Sequence, residues 1–165
     1  RLTEIMKKYH VAPAQINLNT FATAAAHSDM LENNIKILHK QGIEFSLDDY
    51  GSGYSNTDYL FRFPFRIVKI DKNILWEAFK NEKAMIALRN TIRMIKELGL
   101  EIVVEGVENQ EYVDYLTEQH CDYLQGYFYS KPIPDRDFLE LLRRENAQYY
   151  AERFSKNELS DIITT

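Results

Sequence analysis

The chain has 165 residues, 45% of them hydrophobic and 27% charged, with a formal net charge of −5 and a pI near 5.4. One domain is the expectation for that length. The acidic balance, without any long basic run, gives a nucleic-acid polymer no electrostatic footing, and no apolar stretch reaches the ~18 residues a membrane span needs. Cys121 is the single cysteine, which excludes an intrachain disulfide and fits a reducing compartment.

In chain order, RLTEIMKKYH places Leu2, Ile5, Met6 and Tyr9 at helical spacing without the apolar core of a signal peptide. It does not open on methionine, so the chain reads as a fragment of something longer. QINLN (15–19) reads as a strand. Ser28 is placed to cap a helix carrying Leu31, Ile35 and Leu38, with Gly42 as its stop. IEFSLDD (43–49) and RIVKID (66–71) are the next strands. Asn81 caps a long helix with Met85, Leu88, Ile92 and Ile95 on one face, ending at Gly99. LEIVVEGV (100–107) is a strand, Asn109 starts a helix with Tyr112, Val113 and Leu116, and YLQGYFY (123–129) is the fifth strand. A last helix runs from about Pro134 through Phe138 and Leu142, and a polar tail with Tyr149, Tyr150 and Phe154 either extends it or frays. Strands alternating with helices predict a parallel sheet with helical crossovers.

The period of two along each strand separates an apolar face from one that turns polar near the C-terminal end. Ile16 and Leu18 oppose Asn17 and Asn19; Phe45 and Leu47 oppose Ser46 and Asp48; Val68 and Ile70 oppose Lys69 and Asp71. Ile102 and Val104 oppose Val103 and Glu105, and Leu124 opposes Gln125. An open doubly wound sheet needs two apolar faces, whereas a barrel builds its site from polar side chains at the C-terminal mouth. The predicted fold is therefore α/β, a partial TIM-like (β/α) barrel of about five parallel strands with flanking helices. Residues 1–145 form this domain and 146–165 a helical or frayed tail.

SLDDYGSGYSN (46–56) concentrates the chemistry. Adjacent aspartates normally point to opposite faces, and Gly51 and Gly53 are expected to let the chain turn so that Asp48 and Asp49 face one pocket. Carboxylates that close repel unless one is protonated or a cation neutralises them, and hard cations such as Mg²⁺, Mn²⁺ or Ca²⁺ take oxygen ligands. Lys69 could hold a metal-bound water or a phosphate, and Glu105 could ligate metal or take a proton. Spacing alone leaves two readings open: metal-assisted hydrolysis of a phosphate ester, and a structural ion-pair network. GSGYSN is a partial dinucleotide-binding signature, but Asn56 replaces its third glycine and the aspartates would repel a pyrophosphate. A phosphoacceptor domain lacks its separate acceptor aspartate here. His10, His27, His39 and His120 have no metal-ligand spacing, Cys121 reads as a packed thiol, and Trp76 reads as core. Glu108 either caps the following helix or supports the mouth.

DDYGSGYSN, VKID, VVEGVEN and YLQGYFYSKPI, in this order and spacing, resemble the EAL domain family over about residues 1–142. The resemblance implies a modified TIM barrel with one antiparallel strand, in a bacterial, cytoplasmic signalling context. It implies hydrolysis of cyclic di-GMP to linear pGpG with two Mg²⁺ or Mn²⁺ ions. By the same resemblance Asp48 and Asp49 correspond to metal ligands, Lys69 to the lysine that positions the metal-bound water, Glu105 to the catalytic glutamate, and Gln125 to a glutamine near the substrate. The family's Glu-x-x-Glu motif is represented by Asn19 and Ala22, and its Glu-Ala-Leu segment and an asparagine ligand would lie upstream of Arg1. The resemblance therefore implies an impaired catalyst with weak Mg²⁺ or Mn²⁺ binding that favours one ion over two, and weak or absent cyclic di-GMP binding. A half-barrel would also leave sheet edges open, so a homo-oligomer or another protein segment is expected to complete it.

Overall fold

Every strand pairs in parallel with the strand next to it in sequence. The order along the sheet is β1 (Asn17–Phe21), β2 (Glu44–Tyr50), β3 (Phe65–Ile70), β4 (Glu101–Val104) and β5 (Tyr123–Leu124). This uninterrupted order is that of a barrel wall; a doubly wound sheet would reverse direction at a switch point. The computed structural model describes residues 2–21, 29–52 and 57–153, in two compact units, residues 1–129 and 130–165. The first unit carries the sheet with α1 (Leu2–Lys8), α2 (Asp29–His39), α3 (Tyr59–Arg62), α4 (Lys72–Ala78), α5 (Glu82–Glu97) and α6 (Gln110–Glu118). The second carries α7 (Asp135–Arg153), so the start of the tail continues the last helix. No described helix is long and apolar enough to cross a membrane.

The helices begin and end where local chemistry directs. Asn81 accepts from the Lys83 N–H at 2.9 Å, and Asn109 accepts from the Tyr112 N–H at 2.9 Å, each satisfying an orphan donor of a first turn. The Ser28 cap lies outside the described residues. The helical faces pack as their spacing predicts: Leu88, Ile92 and Ile95 of α5 and Leu116 of α6 are buried in one core with Phe45, Leu47, Val68, Ile70, Ile102 and Val104. Burying each such side chain contributes roughly 1.5–3 kcal/mol. Met6 brings α1 into the same core. At the opposite end from the polar strand termini, Arg66 of β3 bridges Glu44 of β2 at 2.5 Å and Glu101 of β4 at 3.0 Å.

Four expectations need correction, the first being the strand at 100–107, which is confined to Glu101–Val104. Pro13–Gln15 form a 3₁₀ turn, in which the Gln15 side chain accepts from the Ala12 N–H at 2.8 Å, so β1 starts later than 15 and reaches Phe21. The strand at 123–129 shrinks to Tyr123–Leu124, because the chain must turn at Gly126, which lies hard against the backbone of Val107. Trp76 packs against the core from its margin and is not enclosed by it: it is half-buried, with its indole N–H donating to the Gly106 carbonyl at 2.8 Å.

Cys121 is the packed thiol expected. Burial pushes it up to about 12 from an ordinary value near 9.0, with Lys96 opposing and Asp122 reinforcing. A folded-state value above the unfolded one contributes stability below about pH 9 that is lost as pH rises toward about 12. Urea unfolding at pH 8 and pH 10.5 (both approximate) should therefore show a larger loss in the native chain than in Cys121→Ser. Iodoacetamide at about pH 8 should label the unfolded chain much faster than the folded one.

Candidate metal centre

The strand ends bring four polar side chains into one mouth. Ligand oxygens of Asp48, Asp49 and Glu105 all lie within 4.8 Å of one another. Between them sits Lys69, whose Nζ is 2.8 Å from Asp48 Oδ1 and 2.5 Å from Glu105 Oε1. Lys69, Asp48 and Glu105 are largely shielded, with side chains 16%, 11% and 18% exposed. Burial works against the ammonium charge, but the hydrogen bonds to Asp48 and Glu105 outweigh it and hold Lys69 above the usual lysine value.

Asp48 and Asp49 converge by a route the sequence did not predict. The turn was expected at Gly51 and Gly53. Gly51 does turn, with φ = +93°, but Asp49 itself also takes φ = 53°, and the β2–β3 register slips between Leu47 and Tyr50. This is a bulge, and it turns the second carboxylate to the side of the first. Aspartate is one of the few residues with a side chain that tolerates this left-handed region. Gly51 adds close packing, since a Cβ there would fall 1.9 Å from Ile74 Cδ1; Gly53 lies outside the described residues.

Asn19 ends on the same face, its Nδ2 donating to Asp48 Oδ2 at 3.2 Å. One turn of the pleat earlier, Ser46 Oγ donates to Asn17 Oδ1 at 2.5 Å, so the polar faces of β1 and β2 are aligned. Ala22 lies outside the described residues. Gln125 and Glu108 line a cavity of about 250 Å³ with Lys72, Trp76, Glu105 and Gly106, which decides the Glu108 alternative, because the cap of α6 is Asn109. Asp71 does not join the mouth: it caps α4, accepting from the Asn73 N–H at 2.9 Å and from Asn73 Nδ2 at 2.7 Å. Lys72 was not singled out in the sequence, and Trp76 was expected only as a core residue, not at the mouth. Their signal was a helix starting directly after a site-bearing strand, with two residues one turn apart facing the mouth.

The donor set suits a hard divalent cation. Three carboxylates offset by one ammonium leave formal negative charge in excess, and all the available donors are oxygen. Among the described residues this is the acidic cluster with metal-holding geometry. A parallel barrel wall whose C-terminal mouth holds clustered carboxylates and a lysine defines the class: a (β/α)-barrel-like protein with an acidic cluster at its mouth.

A model of the EAL domain matches residues 1–132, and the chain belongs to that family. It is 32% identical over 150 residues to the signaling protein YkoW of Bacillus subtilis, covering 89% of this chain and 18% of that protein. It is 40% identical over 102 residues to the cyclic di-GMP phosphodiesterase PdeL of Escherichia coli, covering 62% of this chain and 28% of that protein. The calcium and cyclic di-GMP complex of Klebsiella pneumoniae BlrP1 superposes with a TM-score of 0.73 at 25% identity, over 79% of this chain and 34% of that one. The chain thus spans less than a third of the length of these two curated relatives.

Proposed function

We propose that this chain is a cyclic di-GMP signalling module of the EAL family whose metal centre is weakened, so that it acts by binding or regulation more than by turnover. The convergence of Asp48, Asp49 and Glu105 around Lys69 carries the family part of this reading. Asn19 carries the weakening: it offers a neutral amide where the family places a glutamate, and its N–H end occupies a lone pair of Asp48. In this reading Asp48, Asp49 and Glu105 would hold the cation, which when bound would screen the phosphates and polarise a phosphodiester. Lys69 donates to both Asp48 and Glu105, and its remaining N–H is placed to hold an oxygen of water or phosphate. Glu105 is placed to accept a proton in the mouth, and Gln125 and Glu108 offer hydrogen bonds to a nucleotide in the adjoining cavity. The domain reading keeps residues 1–145 as the EAL-type part. Association through the outer edges of β1 and β5 belongs to the same proposal, supported by their having one paired neighbour each among the described residues.

Metal-dependent hydrolysis to pGpG is the second reading, favoured by the intact contact between Lys69 and Glu105. Calorimetry separates the two. The expected result is weak uptake of Mg²⁺ or Mn²⁺, lost in the double substitution Asp48→Asn with Asp49→Asn, and cyclic di-GMP binding far weaker than in an EAL domain with its glutamates in place. Trp76 is the chain's single tryptophan and lines the cavity with Glu105 and Gln125, so its emission gives an independent readout. Linear dinucleotide forming at high protein and Mn²⁺ concentration, and vanishing in Asp48→Ala, would overturn the weakened-site reading.

A further inference from the structure

Glu105 is followed by a glycine whose geometry ties it to α4. Gly106 takes φ = +74°, and a Cβ there would fall 2.3 Å from Lys72 Cβ and 3.2 Å from Lys72 Cα. Its backbone therefore sits directly on the first turn of α4. On one side the Glu105 N–H donates to the Ile70 carbonyl at 3.1 Å, and on the other the Val107 N–H donates to the Gln125 carbonyl at 3.0 Å. The Gly106 carbonyl, swung out of the strand ladder by the positive φ, accepts from Trp76 Nε1 at 2.8 Å. Trp76 is itself steadied by Lys72, one helical turn earlier, whose ammonium lies 5.2 Å from the indole centroid. The ring packs on one side against the core and on the other lines the cavity that Glu105 and Gln125 share.

We propose that Trp76 is a positioning residue for Glu105: by bonding the Gly106 carbonyl, its indole N–H fixes the Gly106–Val107 peptide directly after Glu105, and through it the backbone that sets the Glu105 carboxylate against Lys69 and the two aspartates. The functional consequence rests on the metal-site reading above; the positioning itself does not. Partners that orient a metal-holding carboxylate act in this way, and losing one typically weakens metal binding about 10–100-fold.

Trp76→Phe in the full chain keeps an aromatic ring and removes the N–H. In the metal-free protein, amide hydrogen exchange at Glu105 and Val107 should speed up while exchange at Val104 does not change. In calorimetry with Mn²⁺ the substitution should weaken binding about tenfold, the lower end of the range for such partners. That factor should disappear in a Glu105→Gln background and persist in an Asp49→Asn background. Unchanged exchange at Glu105 and Val107, or the same loss of affinity in both backgrounds, would overturn the proposal, because a general effect on stability does not distinguish the two carboxylates. A native chain that takes up no Mn²⁺ would sink the metal-site reading alone, and the exchange result would then decide the role of Trp76. Should Trp76→Phe fail to fold, the indole proton of the native chain decides: slow exchange with solvent supports the bond to Gly106, and rapid exchange removes it.

Discussion

Replacing Lys69 with methionine should make the stability of the fold depend on a divalent cation. The ammonium lies 2.8 Å from Asp48 and 2.5 Å from Glu105, and it is the positive charge between them. Methionine fills similar volume and leaves shielded carboxylates facing each other without a counter-charge. Breaking a fully buried pair this way costs about 3–5 kcal/mol, and the partial opening of this mouth to solvent reduces that to about 2–3 kcal/mol. A dication at the same place would compensate the lost charge. The melting temperature of Lys69→Met should therefore fall by several degrees in chelator and recover with Mg²⁺ or Mn²⁺, while the native chain responds weakly to either. The variant should also bind the cation more tightly, since Lys69 no longer competes for the same oxygens. A melting curve indifferent to metal would show that these carboxylates relax apart without Lys69, and would remove the electrostatic account of the mouth.

Gly106→Ala is the second large effect, and Gly99→Ala is its control. Both glycines have nearly the same left-handed backbone, φ = +74° and +75°. Conformation alone costs an alanine about 1–2 kcal/mol there. At Gly99 nothing lies within 4 Å of the added methyl, so the cost stops at that level. At Gly106 the methyl meets Lys72 Cβ at 2.3 Å and the Lys72 Cα at 3.2 Å, so α4 must shift as well. Overpacking of that kind adds about 1–3 kcal/mol. Chemical denaturation should place Gly99→Ala near 1 kcal/mol and Gly106→Ala near 3 kcal/mol, each about that size. Equal losses would mean that the strand end moves freely against α4, and that Glu105 is not held from behind.

What could be read from the sequence was whatever depends on period and on caps. The alternation in EFSLD and IVKID fixed which face of β2 and β3 is polar, and the structure aligns Ser46, Asp48 and Lys69 accordingly. Asn81 and Asn109 mark helix starts because a side-chain acceptor beside orphan N–H groups is a local matter. The family resemblance, resting on four motifs in order, located the carboxylates and the lysine. The misses lie where two segments distant in sequence decide together. Asp49 adopts a left-handed backbone because β2 must slip its register against β3, which nothing within SLDDYG announces. The last strand stops early because Gly126 is pressed against Val107, a contact made by another strand end. Trp76 was read as core on residue type alone, whereas its N–H finds a carbonyl thirty positions away. Asp71 was read as a mouth residue from its face on the strand, but the helix that follows claims it as a cap.

The unbroken order of the five strands also bears on how the molecule comes into being. Each ladder joins neighbours in the chain, Asn17 opposite Glu44, Phe45 opposite Phe65, Ile67 opposite Glu101 and Val103 opposite Tyr123. Every pairing thus closes a loop of only a few tens of residues, and loop-closure entropy grows slowly over that range. No strand has to wait for a distant partner. The sheet can assemble by accretion, one strand and its helix at a time, each new unit using the last as its template. As β2, β3 and β4 take their places in that order, Asp48 arrives first, Lys69 joins beside it, and Glu105 closes the set from the other side. Asp49 comes with Asp48 on β2, so the lysine of β3 meets a carboxylate pair and stands beside it before Glu105 of the β4 end adds the third.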